Sequence, residues 1–144
     1  MDNYKKYRLI DIADIERARN GQIYPKGTVF IQVSATNGQI KMLDQAGPIE
    51  TKYATIIPKQ YIYPPYFKLA LERMVPEFLS RYKSTLNIQM DDFKFFEVYI
   101  HEDPKRQIEI AQLMEQCDKA EETEQAIVDV LMEIKRLALS KMFM

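Results

Sequence analysis

The side chains able to break bonds are few. His101 is the single histidine and Cys117 the single cysteine of 144 residues. A thiolate–imidazole dyad needs the two on facing surfaces within hydrogen-bond reach. Asp103 can cap a helix and Pro104 can open it, which puts Cys117 about four turns along a helix that starts after His101. His101, beside Glu102 and Asp103, reads as a surface residue, and Cys117 as a small buried thiol on a helix seam. The pairs Asp91-Asp92 and Glu121-Glu122 are adjacent, so their side chains diverge and read as solvated charge. One His, one Cys and scattered acids lack metal-ligand spacing, and no phosphate-cradling glycine loop occurs. These residues predict no catalytic site, no metal and no cofactor.

Hydrogen-bond recognition has more material. Gly21, Gly27 and Gly38 mark three turns that carry Arg19, Asn20, Gln22, Lys26, Ser34, Thr36, Asn37 and Gln39. Asn and Gln pair bidentately with adenine, Arg and Lys with guanine, and Ser, Thr or Lys with phosphate. The same residue types supply tight turns with positive φ and local hydrogen bonds. Two readings therefore stand, turn chemistry or a surface that reads hydrogen-bond patterns on a duplex. Residues 1–60 hold nine basic side chains (Lys5, Lys6, Arg8, Arg17, Arg19, Lys26, Lys41, Lys52, Lys59) against six acidic ones. From Pro104 onward there are six basic and eight acidic. This tilt permits an anionic partner without demanding one.

The elements that must position these residues form a mixed set. "RLIDIADIERARNG" predicts an opening segment, then a helix capped near Asp11 that turns Ile12 and Ile15 inward and stops at Gly21. Thr28 to Ser34 alternates with period two and predicts a strand with Val29, Ile31 and Val33 on one face. Gln39 to Leu43 and Lys52 to Ile57 read as further strands. "YPPYFKLALERMVPEFLSRYKS" predicts a helix opened by Pro64-Pro65, with Phe67, Leu71, Met74 and Phe78 inward and a kink or split at Pro76. "FKFFEVYI", Phe93 to Ile100, reads as a strand leading into the last helix.

That last helix has no glycine and no proline after Pro104. Steps of three and four pick out Ile110, Leu113, Cys117, Ala120, Glu124, Ile127, Leu131, Ile134 and Ala138, a heptad seam interrupted only by Glu124. At about 1.5 Å per residue it extends roughly 55–60 Å, more than a domain of a hundred residues covers. The seam predicts an association helix that pairs with itself or docks onto a larger protein. The fold class expected is α+β, with a small mixed domain over 1–103 and a long helix over 104–144. A single cysteine, no run long enough to span a membrane and no apolar core for a signal peptide predict a cytoplasmic chain.

Read in order, four segments resemble one half of a type I restriction-modification specificity subunit. "YRLIDIADIERARNG" is similar to the opening of its target recognition domain. "YPKGTVFIQVSATNGQI" resembles its strand–turn segment, and "YIYPPYFKLAL" the helix that follows. "FKFFEVYIHEDPKRQIEIAQLMEQ" resembles the junction to the family's long conserved helix, with Gln107, Ile110 and Ala111 matching a Q-x-x-I-A element. The resemblance implies a non-catalytic subunit that selects a DNA sequence and docks a methyltransferase (modification) subunit. It implies duplex-DNA contacts from Arg19, Asn20, Lys26, Ser34, Thr36, Asn37, Gln39, Lys41 and Lys52. It also implies that the helices pair as an antiparallel coiled coil, so that two copies imitate the full subunit as a homodimer through Ile110, Leu113, Cys117, Ala120, Ile127, Leu131, Ile134 and Ala138. The recognition part is shorter than the family's, and the segment expected between Gly21 and Tyr24 is almost absent. A shortened relative without DNA reading, serving as an assembly or regulatory partner, is the alternative; a small enzyme of another kind is the third reading.

Overall fold

A computed structural model describes residues 4–84 and 87–142. In chain order the elements are β1 (Tyr4–Arg8), α1 (Leu9–Ile12), β2 (Ala13–Arg17), β3 (Ile23–Tyr24), β4 (Val29–Gln32), β5 (Ile40–Met42), β6 (Gly47–Pro48) and β7 (Tyr53–Pro58). These are followed by α2 (Pro64–Tyr82), β8 (Lys83–Ser84), β9 (Asn87–Ile88), a 3₁₀ turn over Met90–Phe95, β10 (Glu97–His101) and α3 (Pro104–Met142). The chain forms two compact units that divide between Ile108 and Glu109. The architecture is α+β, with small antiparallel sheets in the first unit and a long C-terminal helix.

The first unit is organised by a four-stranded antiparallel sheet in the order β2-β7-β4-β5. Its centre is the alternation at Thr28 to Ser34: Val29, Ile31 and Val33 are all buried, while Phe30 and Gln32 are half-buried. Burial of each such aliphatic side chain contributes roughly 1.5–3 kcal/mol. Thr28 is buried too, and its hydroxyl donates to the Pro25 carbonyl at 2.7 Å, so no polar atom is stranded there. The Val29–Ile31 face packs toward α2, whose Phe67, Leu71, Val75 and Phe78 are buried. On the other face a smaller core collects Ala18, Tyr24, Ile49 and Tyr53, with Phe30, Leu43 and Ile57 against it. A second sheet pairs β1 with β10 in antiparallel register, Tyr4 opposite His101 through Arg8 opposite Glu97.

Several sequence expectations are corrected. The helix expected from Asp11 to Gly21 is only the single turn α1; Ala13–Arg17 is a strand paired along Ala54 to Pro58. Edge pairing offered by β7 satisfies this backbone in place of helical bonds, and Ile12 and Ile15 are only half-buried. The strand expected from Phe93 begins at Glu97. Phe93 and Phe96 both pack on Phe78, with ring centroids 5.7 Å and 4.7 Å away. An i, i+3 pair meets one partner in a 3₁₀ turn, whereas in a strand those side chains point to opposite faces. Met74 is half-buried and Val75 takes the inward place. Nor does Pro76 split α2, because Val75 and Phe78 on either side of the lost hydrogen bond are both buried.

His101 is not a free surface residue. It is half-buried, its ring lies 4.4 Å from that of Tyr4, and Tyr66 Oη is 2.7 Å from its Nδ1. The Tyr66 hydroxyl also accepts the His101 backbone N–H at 2.8 Å. Burial holds this phenol above the usual tyrosine range, which keeps its proton in place.

At the start of α3, Asp103 caps through its carboxylate to the Lys105 N–H at 3.0 Å. Gln107 is buried: its Oε1 accepts the Tyr63 N–H at 3.0 Å and its Nε2 donates to the His101 carbonyl at 2.7 Å. Ala111 is the other buried residue of the helix, so two of the three matched Q-x-x-I-A positions are structural fixtures. Every residue from Gln112 to Met142 is exposed. No helix among the described residues is long and apolar enough to cross a membrane.

Candidate nucleic-acid interface

The polar turn after β4 is built largely by bonds within itself. Thr36 is buried and its hydroxyl accepts the Gly38 N–H at 3.0 Å. That hydroxyl thus helps to hold the turn. Exposed Asn37 uses Oδ1 to accept the Gln39 N–H at 3.0 Å, leaving its amide nitrogen outward. Gln39 is exposed. Gly38 is needed here: at φ +82° it occupies left-handed space, and an added Cβ would stand 2.5 Å from Leu79. Ala35 also takes positive φ, 51°, and its N–H donates to Asn87 Oδ1 at 2.9 Å, so the turn is braced by a residue 52 positions further along the chain.

The nine predicted contact residues fall into separate groups. Asn37 and Gln39 lie along α2, in a shallow groove whose other wall includes Lys68, Glu72 and Leu79. Lys41 and Lys52 gather instead at Tyr53, on the opposite face of the sheet. Lys41 Nζ is 3.0 Å from Tyr53 Oη, and the two ammonium groups stand 5.3 Å and 5.5 Å from the ring centre. Tyr24, in the same small core, accepts the Arg19 backbone N–H through its hydroxyl at 2.9 Å. Arg19 and Asn20 thus flank this aromatic cluster at the Gly21 turn, both exposed. Lys26 is exposed beside Gly27, where an added Cβ would meet the ring of Pro64 at 3.0 Å. Among the described residues no hydrogen bond or ion pair links Asn37 or Gln39 to Arg19, Asn20 or Lys26. Asn37 and Gln39 thus neighbour α2, whereas Lys41 and Lys52 neighbour Tyr53.

Sequence reasoning passed over Arg17. Its Nε donates to the Thr51 carbonyl at 2.7 Å and one terminal nitrogen to Ser34 Oγ at 3.1 Å. Ser34 is therefore joined to the Lys52 side of the sheet, where the Val33 N–H also donates to the Lys52 carbonyl at 2.9 Å. No pattern in "IERARNG" distinguishes Arg17 from Arg19; only the pairing of β2 with β7 does.

The second unit presents apolar surface of a different kind. Leu113, Ile127, Leu131 and Ile134 of the seam are each more than half exposed, and Cys117 is exposed. Ile110 is half-buried. At about 100° per residue, the apolar side chains from Ile127 to Met142 sweep an arc of roughly 220°. Val128, Met132 and Leu139 flank one side of the seam, and Val130 and Leu137 the other. Between Glu115 and Gln125 the apolar stripe narrows to Cys117 and Ala120, with Glu124 in line.

No family model and no curated protein sequence matches the chain. Its fold does match solved structures. The S subunit of a type I restriction-modification system from M. genitalium superposes with a TM-score of 0.67 at 15% identity, over 90% of this chain and 42% of that one. A chain from a study of complex assembly and conformational transition in the type I R-M system gives 0.71 at 19% identity, over 93% and 43%. The HsdS subunit from Thermoanaerobacter tengcongensis gives 0.62 at 15%, over 81% and 38%. This chain thus has the fold of type I specificity subunits and spans about two fifths of the length of each.

Proposed function

We propose that the chain is a specificity half-subunit of a type I restriction-modification system. It binds duplex DNA through the first unit, pairs with a second copy along α3 as an antiparallel coiled coil, and docks a methyltransferase subunit. The observation that carries this reading is the match in fold over some nine tenths of the chain, with only some two fifths of the larger subunits covered. The exposed apolar arc of α3 supports it independently. A two-stranded coil covers a narrow stripe, so an arc of roughly 220° suits one partner on the seam and another beside it. Catalysis of methylation and cleavage falls to the other subunits in this reading. His101 is committed to Tyr66, and among the described residues no cluster of His, Cys, Asp and Glu could hold a metal.

In this role Asn37 and Arg19 read base edges while Lys26, Lys41 and Lys52 contact phosphate. Duplex binding should be measured with random and genomic DNA, with and without the methyltransferase subunit, across salt. Loss of a bidentate base contact costs about 1–3 kcal/mol of discrimination. If a complex selects a sequence yet tolerates alanine at Arg19, Asn37 and Gln39 together, those residues are turn chemistry only. One observation favours the alternative of an assembly partner without DNA reading: the hydroxyls of Ser34 and Thr36 each accept a bond from within the unit. Absence of binding under every condition would select that alternative.

A further inference from the structure

Among the described residues Arg17 makes no ion pair with a carboxylate. Arg17 is anchored by two neutral oxygens, the Thr51 carbonyl and the Ser34 hydroxyl. Its neighbours are paired differently: Arg19 lies 4.0 Å from Glu16, Lys52 3.3 Å from Glu50 and Arg8 3.1 Å from Asp11. A guanidinium carries five N–H donors in a rigid fork. The two used here leave three donors and the full charge on an exposed side chain. The bonds come from three segments: the end of β2, the turn before β7 and the turn after β4. Fixing the side chain from two of them removes rotamer freedom that a surface arginine otherwise loses on binding.

We propose that Arg17 is a phosphate-anchoring residue of the duplex-binding surface, positioned by Ser34 and the Thr51 carbonyl. This rests on the DNA-binding reading above and adds to it a residue and a division of roles. The side edge of the fork is occupied, so the terminal edge faces outward. Two parallel N–H groups there match the two non-bridging oxygens of a phosphodiester. A tethered guanidinium cannot travel into a groove to follow a base edge, whereas the backbone offers a phosphate at every repeat. Ser34 then acts as a positioning residue, orienting a cation rather than touching DNA.

The test is duplex binding by the full chain over a range of salt, with its methyltransferase partner present, for wild type, Arg17→Gln, Arg17→Lys and Ser34→Ala. Thermal unfolding of each variant verifies that it folds; Arg17→Lys, the mildest change, carries the test should Arg17→Gln not fold. Arg17→Gln is expected to lower the log–log salt slope by about 0.9, the share of one phosphate contact. It should weaken low-salt binding roughly tenfold, as loss of a charged hydrogen bond does, and equally on random and genomic duplexes. Arg17→Lys should keep the slope but not the full affinity, and Ser34→Ala should keep the slope while weakening binding. Wild-type binding with an unchanged slope in Arg17→Gln would overturn the assignment and leave the DNA-binding reading intact. A changed sequence preference at constant slope would also overturn it, making Arg17 a base reader. Lack of binding by wild type under all conditions would remove both.

Discussion

Replacing Ile127 and Leu131 together by aspartate should convert a self-associating chain into a monomer. Ile127 is 56% exposed, Leu131 60%, Ile134 57% and Leu113 60%, so more than half of each side chain is still to be buried. Covering that remainder on both helices is worth roughly 7–14 kcal/mol at about 1.5–3 kcal/mol for a fully buried aliphatic side chain. Association costs of order 4–15 kcal/mol oppose it, and a micromolar dimer needs a net gain of about 8 kcal/mol, so the seam gives one only where the cost lies at the low end of that range. Four aspartates in one dimer seam remove half of that gain and add like charges that need desolvation, so association should weaken by more than a thousandfold. Sedimentation equilibrium at tens of micromolar reads the outcome against the 17.0 kDa chain mass. Wild type should run at twice that mass and the variant at once. A wild type that stays monomeric, or a variant that stays dimeric, would refute the argument from the exposed seam.

Other perturbations follow from particular contacts. An antiparallel pair centred near Glu124 keeps the two Cys117 thiols about 20 Å apart at 1.5 Å per residue; wild type should not cross-link on oxidation, whereas Leu131→Cys should, through Cys117. A ready wild-type disulfide dimer on non-reducing gels would mean parallel pairing. Gln107→Ala strands the Tyr63 N–H and the His101 carbonyl and should lower stability by about 1–3 kcal/mol per buried group left unpaired, as read by urea unfolding. Gly38→Ala forces a side chain into left-handed backbone and onto Leu79, and should cost about 1–3 kcal/mol in the same assay. A neutral Gly38→Ala would show that the turn is not pinned to α2.

The sequence by itself determined the elements whose pattern is local and strong. The Val29, Ile31, Val33 alternation, the proline-opened α2 and the capped, glycine-free α3 are each legible because one period runs without interruption. The seam was legible because its period holds on both sides of Glu124, and the order of motifs resembled a type I specificity subunit, a fold likeness that the solved structures share. Tertiary pairing decided the rest. "IADIER" carries both helical and alternating apolar spacings, and only the free edge of β7 makes it a strand. Phe93 and Phe96 turn to one side because Phe78 is there to receive both. The candidate site followed the same division. Glycine spacing revealed the turns, but which side of the sheet each polar residue reaches depends on strand register and on α2. Register separated Asn37 and Gln39 from Lys41 and Lys52, buried Thr36, and brought Arg17 across β7 to Ser34, 17 residues away in the chain.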